Sequence, residues 1–293
     1  MIEEAIVQQE TSAPAPAAVT VTGTPWFSMI WVGALLLAAY AATLVNLVGS
    51  WFDGYANMEH GILVPPAVGY MVWLNRSHLQ SIPSSPNRWG IVLVAWGLLQ
   101  SILGMASQWI WVSRTAFLIA LVGCIGSLYG TRMLRALAYP LCTLLLMVAP
   151  PTFIYERITL QLQLLASRLG EICLEALGYS VLREGNILEM VGERLAVAEA
   201  CSGIKSLMAL IFLAVVYGYF FVPQKSIRAI LLISVIPIAI VCNAGRIIAT
   251  GVVGQFNPEL AHGMLHAAFG YVSLATGAML CIGLHKLIVK LRA

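Results

Sequence analysis

Long apolar runs separated by short polar stretches constrain this chain more than any other feature of its sequence. Eight such runs lie at 26–48, 62–75, 89–107, 109–129, 136–149, 203–222, 229–252 and 263–285. A helix needs about 20 apolar residues to cross a bilayer. Hydrophobic residues make up 60% of the chain and charged residues 10%, with a mean hydropathy of +0.87, which is too little polar surface for a water-soluble globule. The sequence therefore predicts an all-α polytopic membrane protein with about eight transmembrane helices.

Four of these runs have special features. Runs 62–75 and 136–149 are short for a bilayer and each contains or adjoins a proline pair, so they either cross with the help of neighbouring turns, lie half-buried, or are re-entrant. The third and fourth runs almost touch, which predicts a tight hairpin. Arg114 then lies near the outer end of the fourth span, where its side chain can snorkel to the membrane surface.

The charged residues predict how the spans are oriented. If the C-terminus is cytoplasmic, eight spans make the N-terminus cytoplasmic too, and the inner loops carry only basic residues: Arg76, Arg88, Arg132, Arg135, Lys225 and Arg228. The outer loops carry Asp53, Glu59, Glu259 and the seven glutamates between 156 and 199. This distribution satisfies the positive-inside rule, and it predicts a multi-pass protein of the cell inner membrane. The net charge of +3 excludes nucleic-acid binding driven by bulk charge.

Two segments lie outside the regular alternation of spans and loops. Residues 1–25 have no basic residue before the first apolar run, so they are expected to form a flexible cytoplasmic tail rather than a signal peptide. Residues 150–200 are expected to form an outer-face insert between the fifth and sixth spans, an amphipathic helix followed by small β-hairpins. A helix there that crossed the bilayer would invert every later span. Residues 26–293 are treated as a single membrane-embedded domain.

The start of the sixth span carries a candidate nucleophile. Cys201 leaves a polar segment and enters a helix at its N-terminus, where the helix dipole, the unpaired N–H groups and the charge of Lys205 lower the pKa of a thiol. The same N–H groups could hold an oxyanion. The alternative is a capping segment, with Cys201 or Ser202 as the N-cap and Gly203 serving helix packing. The six cysteines are spread singly, with no disulfide framework.

Two further spans carry polar candidates at their outer ends. Arg246, which follows Asn243 in the seventh span, faces either a cavity in the bundle or the lipid phosphates. His262 and His266 open the eighth span four residues apart. That spacing suits a metal ion, a packing role, or a general base paired with a thiol. Because nothing nearby completes a ligand set, no metal and no cofactor is predicted.

The alternating direction of the spans brings these candidates together. Span six runs inward, span seven outward and span eight inward, so Cys201, Arg246 and His266 share the outer layer with depths that agree within about 10 Å. Glu59 and His60, in the link between the first two spans, either face the same cavity or belong to an ordinary turn. The sequence thus predicts a polar site at one face of the membrane.

Four sequence blocks resemble the exosortase/archaeosortase family over residues 26 to 290. They are Glu199-Ala-Cys201-Ser-Gly-Ile-Lys-Ser-Leu, Asn243-x-x-Arg246, Leu265-His266-x-x-x-Gly270 and the weaker His60-Gly-Ile-Leu-Val-Pro. The resemblance implies a membrane cysteine transpeptidase or protease whose triad is Cys201, Arg246 and His266. His262 matches less well, because the glycine of this block, Gly270, lies four residues after His266.

The resemblance also implies partners. Exported proteins that end in a short motif, a transmembrane helix and a basic cluster are the expected substrates, cleaved or transferred at the outer membrane–water boundary, with membrane lipids as surroundings. The alternative is a non-enzymatic component of exopolysaccharide export or a transporter. That alternative requires a polar pathway across the whole bilayer, whereas the polar residues here collect at one face.

Overall fold

The N-terminal part of the protein is a broken helix followed by a short one. The computed structural model describes residues 26–52, 58–190, 193–196, 203–257 and 264–292. Helices α1 (Trp26–Ala39) and α2 (Ala41–Phe52) meet at an angle of 71° around the buried Tyr40. A 3₁₀ turn (Glu59–Leu63) then leads into α3 (Val64–Leu74) and α4 (Arg76–Ser81). The paired prolines lie in the first turn of α3, where their missing N–H groups cost no helical hydrogen bond.

The predicted tight hairpin is confirmed. Helices α5 (Trp89–Ala106) and α6 (Ile110–Tyr129) pack along their whole length. Gly90, Gly97 and Gly104 lie seven residues apart on α5, and a Cβ atom at Gly97 would stand 2.9 Å from the carbonyl oxygen of Ala116. Glycine permits the two backbones to approach this closely, as small residues do between membrane helices.

The segment between the hairpin and the last helices covers residues 150–200, where the insert is predicted. Helices α7 (Thr131–Ala136) and α8 (Ala138–Leu144) and a 3₁₀ turn (Leu145–Met147) precede the long helix α9 (Thr152–Ala176). Strands β1 (Val181–Glu184), β2 (Ile187–Met190) and β3 (Glu193–Ala196) form one antiparallel sheet in the order β1-β2-β3. The predicted hairpin is thus present, and a third strand extends it.

Three long helices form the C-terminal part: α10 (Ile204–Phe221), α11 (Lys225–Phe256) and α12 (Met264–Arg292). They pack against one another around a buried apolar cluster of Ile204, Leu207, Leu210, Ala214, Val235, Ala239 and Cys281. Helix α9 and the sheet cover α11 from the side through a second cluster that contains Leu174, Leu188 and Ile247. Large apolar side chains elsewhere on the helices are exposed, as expected of surfaces that face lipid.

The count of eight spans is not confirmed. By length and composition, five helices of the described ranges can cross a membrane: α5, α6, α10, α11 and the stretch Ala268–Arg292 of α12. The count rises to seven if the bent pair of α1 and α2 and the second bent pair, Ala138–Met147 with Thr152–Ala176 at 77°, each form one span. Run 62–75 falls outside this count because α3 has only 11 residues. The protein is a multi-pass membrane protein in every case.

Candidate functional site

The Cys-Ser-Gly block meets the Asn-x-x-Arg block at the start of α10. Cys201 and Ser202 lie outside the described residues, and the chain resumes at Gly203. Gly203 adopts a left-handed conformation with φ +82°, and a Cβ atom there would stand 2.9 Å from Cγ of Asn243. The buried side chain of Asn243 therefore lies directly against Gly203, the N-cap residue of α10. Only glycine suits this position, because it needs both a positive φ and close contact.

The Asn-x-x-Arg block meets the His-x-x-x-Gly block three residues further along α11. Arg246 is 9% exposed, and its guanidinium carbon lies 3.6 Å from where a Cβ atom of Gly270 would stand. Position 266 belongs to α12, one helical turn before Gly270, while its side chain, and the whole of His262, lie outside the described residues. The missing side chain at Gly270 leaves room for the guanidinium between α11 and α12.

Helix α9 and the sheet pack against the section of α11 that follows the arginine. Gly251, five residues beyond Arg246, would carry a Cβ atom 3.3 Å from Leu174 and from Met190. The hydroxyl of Thr250 donates a hydrogen bond of 2.9 Å to the carbonyl oxygen of Arg246. These contacts bury this section of α11 between α9 and the sheet.

The N-terminal block joins the start of α10 through an ion pair. Glu59, in the 3₁₀ turn, accepts a hydrogen bond from Lys205, one turn beyond the Cys201 position. Both side chains are about half exposed, so the pair contributes at most about 1 kcal/mol to stability. The pair holds the 3₁₀ turn Glu59–Leu63 beside the start of α10.

His60 is buried behind this ion pair. Its ring lies 6.1 Å from that of Phe212 on α10, and no described residue offers its Nε2 atom a hydrogen bond.

Trp51 is the residue that anchors this turn, and the sequence analysis did not single it out. Its indole N–H donates a hydrogen bond of 3.0 Å to the carbonyl oxygen of Met147. A Cβ atom at Gly61 would stand 2.5 Å from the same indole. The signal available in the sequence was a tryptophan at the end of an apolar run followed ten residues later by glycine.

A small cavity lies beside the contact between Gly203 and Asn243. Its volume is about 10 Å³, enough for about one water molecule, and it is lined by apolar side chains of α9, α10 and α11 together with Asn243. No group of three or more His, Cys, Asp or Glu side chains within the described ranges could hold a metal ion.

The site therefore unites the sequence blocks from four separate stretches of the chain. One end of the bundle contains Glu59, Lys205, Asn243 and Arg246. Glu59 pairs with Lys205, Gly203 contacts Asn243, and Gly270 contacts the guanidinium of Arg246. A family model described as transmembrane exosortase (Exosortase_EpsH) matches residues 51–283. The chain belongs to the transmembrane exosortase family. No curated protein and no solved structure matches it.

Membership confirms the resemblance drawn from the sequence blocks. The matched range begins at Trp51 and includes all four blocks, so this exosortase carries them inside the family's own boundaries. It makes the protein a member of a family of membrane protein-sorting enzymes. The roles of Cys201, Arg246 and His266 stay a prediction.

Proposed function

We propose that this exosortase is a membrane-embedded cysteine transpeptidase that acts on exported proteins with a C-terminal sorting tail. The observation that carries the proposal is the convergence of the blocks: Gly203 rests on Asn243, and Gly270 lies against the guanidinium of Arg246. Residues from α10, α11 and α12 thus reach one place from stretches of the chain that are far apart. A packing role alone does not require an arginine there, because a buried charge is costly in a membrane.

In the proposed reaction, the Cys201 thiolate attacks the carbonyl carbon of the scissile peptide bond. The thiol proton resides on His266, and Arg246 stabilises the negative charge that develops on the carbonyl oxygen. When the C–N bond breaks, the amine leaving group takes the proton from His266 and the substrate remains as a thioester on Cys201. An acceptor nucleophile then gives a proton to the neutral His266, attacks the thioester carbonyl and releases the Cys201 thiolate, which restores the starting pair; an amine acceptor gives transpeptidation and water gives proteolysis.

The surroundings of position 201 support an activated thiol. Lys205, the second residue of α10, lies four residues after Cys201 and holds its ammonium group, paired with Glu59, at the N-terminus of that helix, which contributes its dipole. Ser202 and His262 remain secondary candidates next to the proposed triad. We propose Asn243 as a positioning residue, since it supports the backbone immediately after the nucleophile.

The proposed topology places this site on the extracytoplasmic side of the inner membrane, with both termini in the cytoplasm. Basic residues collect at the other end of the bundle, where Arg292 donates a hydrogen bond to Gln224 beside Lys225. Arg228 lies at the same end and donates a hydrogen bond to the carbonyl oxygen of Val222. This agrees with the positive-inside rule.

Contacts at both ends of the 59–75 segment favour an eighth crossing. Glu59 contacts Lys205 near the start of α10, and Asn75 contacts Tyr219 near its end. A five-residue 3₁₀ turn followed by an 11-residue helix is about 26 Å long, close to the hydrocarbon thickness of a bilayer. The 3₁₀ turn thereby compensates for the shortness of α3.

The proposal is tested by co-expressing the protein with a reporter that ends in a sorting tail. Cys201→Ala is expected to abolish processing while the protein still accumulates in the membrane. Cys142→Ala is the matched control, because Cys142 is an exposed cysteine of α8 outside the site, and it should process normally. Normal processing by Cys201→Ala would overturn the mechanism and favour a non-enzymatic export component or a transporter.

A further inference from the structure

A second buried arginine lies away from the candidate site, at the closed end of the α5–α6 hairpin. Arg114 is the fifth residue of α6, about 6 Å along the helix from its start, and only 9% of it is exposed. It does not snorkel to the surface as the sequence suggested. Its Nη2 group instead donates a hydrogen bond of 2.9 Å to the side-chain oxygen of Asn46 on α2.

The donors of Arg114 are only partly used. Nε of Arg114 is buried and no described residue accepts a hydrogen bond from it. Asn46 is neutral, so it leaves the charge of the guanidinium uncompensated. A buried charge in a membrane protein normally has a counter-charge or opens to a polar ligand.

Two open cavities meet at this arginine. One, of about 360 Å³, extends from Arg114 past Trp109 and Trp111 to Tyr155. The other, of about 440 Å³, extends between α2 and the hairpin past Ala42 and Met105. No acidic side chain lines either cavity within the described part of the chain. The place around the guanidinium is therefore positively charged and has space for a ligand.

We propose that Arg114 binds the phosphate group of a membrane phospholipid, with one acyl chain in the cavity between α2 and the hairpin. A phosphate diester supplies the missing negative charge and accepts from several guanidinium N–H groups at once. Gln108, Trp109 and Trp111 mark the headgroup level, where amphipathic aromatic side chains prefer to lie.

The shape of the second cavity favours a lipid over a peptide carboxylate. Its walls beyond Arg114 combine apolar residues and glycine with polar residues, and Met105 and Ile110 are exposed on the outside of the helices. A flexible hydrocarbon chain can enter from the lipid past these two side chains and needs no hydrogen bonds, whereas an extended peptide needs a partner for each of its backbone groups. The phosphate would then lie at the depth where the hairpin closes.

Native mass spectrometry of the purified full-length protein tests the proposal. The probes are phosphatidylglycerol, diacylglycerol, inorganic phosphate and a short acidic peptide. We expect wild type to retain one phosphatidylglycerol, and neither diacylglycerol nor free phosphate at equal concentration. Arg114→Gln is expected to weaken retention at least about tenfold, the effect of losing a charged hydrogen bond. Arg88→Gln, an exposed arginine at the opposite end of the same hairpin, should retain the lipid.

A second variant keeps the arginine and so avoids the question of folding. Asn46→Asp places a carboxylate at the position that already contacts Arg114, and Asn46 is exposed enough to accept the charge. This internal counter-ion should displace the phospholipid to a similar extent. Equal retention by wild type, Arg114→Gln and Asn46→Asp would overturn the proposal. So would tighter binding of the acidic peptide or of free phosphate than of phosphatidylglycerol.

Discussion

Among the side chains that the structure describes, each half of the protein buries one arginine in a membrane helix, and the surroundings of the two differ. Arg246 and Arg114 are both 9% exposed. The section of α11 that carries Arg246 is packed against α9 and the sheet, and the guanidinium of Arg246 lies against Gly270 of α12. Arg114 lies where two cavities meet and contacts the neutral side chain of Asn46.

The difference shows that burial alone does not define the role of a membrane arginine. An arginine enclosed by packed neighbours has a reproducible direction, which electrostatic stabilisation of a reacting group requires. An arginine beside open space has room for a ligand that brings its own negative charge. The proposed roles, oxyanion stabilisation by Arg246 and phospholipid binding by Arg114, follow from this contrast.

The largest expected effect separates the two arginines by activity. Arg246→Gln should lower the processing rate of a tail-bearing reporter at least about 100-fold, the typical effect of removing an oxyanion donor. Arg114→Gln should leave that rate near the wild-type value. Processing is measured by immunoblot, and membrane accumulation of each variant serves as the control. Equal losses in the two variants would remove the distinction between the two surroundings.

A second comparison concerns the contact between Gly203, in the Cys-Ser-Gly block, and Asn243. Gly203→Ala should lose both processing and thermal stability, because it adds a Cβ atom 2.9 Å from Asn243 to a position with φ +82°. Gly185→Ala is the matched control, with φ +63° and nothing within 4 Å of the added atom. Left-handed strain of about 1–2 kcal/mol is common to both. Thermal unfolding in detergent should show a larger decrease for Gly203→Ala, and similar decreases would argue against the contact with Asn243.

The space beside Arg246 can be tested by graded substitution. Gly270→Ala should be tolerated, because its Cβ atom would stand 3.6 Å from the guanidinium, an ordinary contact. Gly270→Leu should displace the guanidinium and lower processing about 10-fold to 100-fold. Gly283→Leu, on the same helix with nothing within 4 Å, should process normally. A Gly270→Leu protein with full activity would show that processing does not require the guanidinium of Arg246 to lie beside position 270.

Much of the candidate site could be predicted from the sequence because its residues carry local signals. Arg246 interrupts an apolar helix, and the glycine four residues after His266 defines the helix turn that meets it. The direction of successive spans was enough to predict a shared layer. The same reasoning could not find Trp51, Thr250 or Gly170, whose importance comes only from a distant partner. A Cβ atom at Gly170, for example, would stand 2.9 Å from Ile247 on another helix.

The fold was predicted less completely than the site. Hydropathy treats each apolar run as one straight crossing, so it could not reveal the bend at Tyr40 or the helix pair that contains α9. It also treated run 62–75 as equivalent to the longer runs, whereas the structure divides this stretch between a five-residue 3₁₀ turn and the 11-residue helix α3. Bends and turns depend on what the neighbouring helices leave room for, which periodicity does not report.

The sequence by itself determined that this is a membrane protein, which end of its helix bundle is basic, and which polar residues belong to the family's blocks. These properties depend on the cost of placing single charged or polar groups in lipid, and that cost is set by residue type. The tertiary structure decided that Gly203 rests on Asn243, that Gly270 makes space for Arg246, and that Arg114 faces open cavities. Such contacts depend on distances between helices far apart in the chain, and only packing sets those distances.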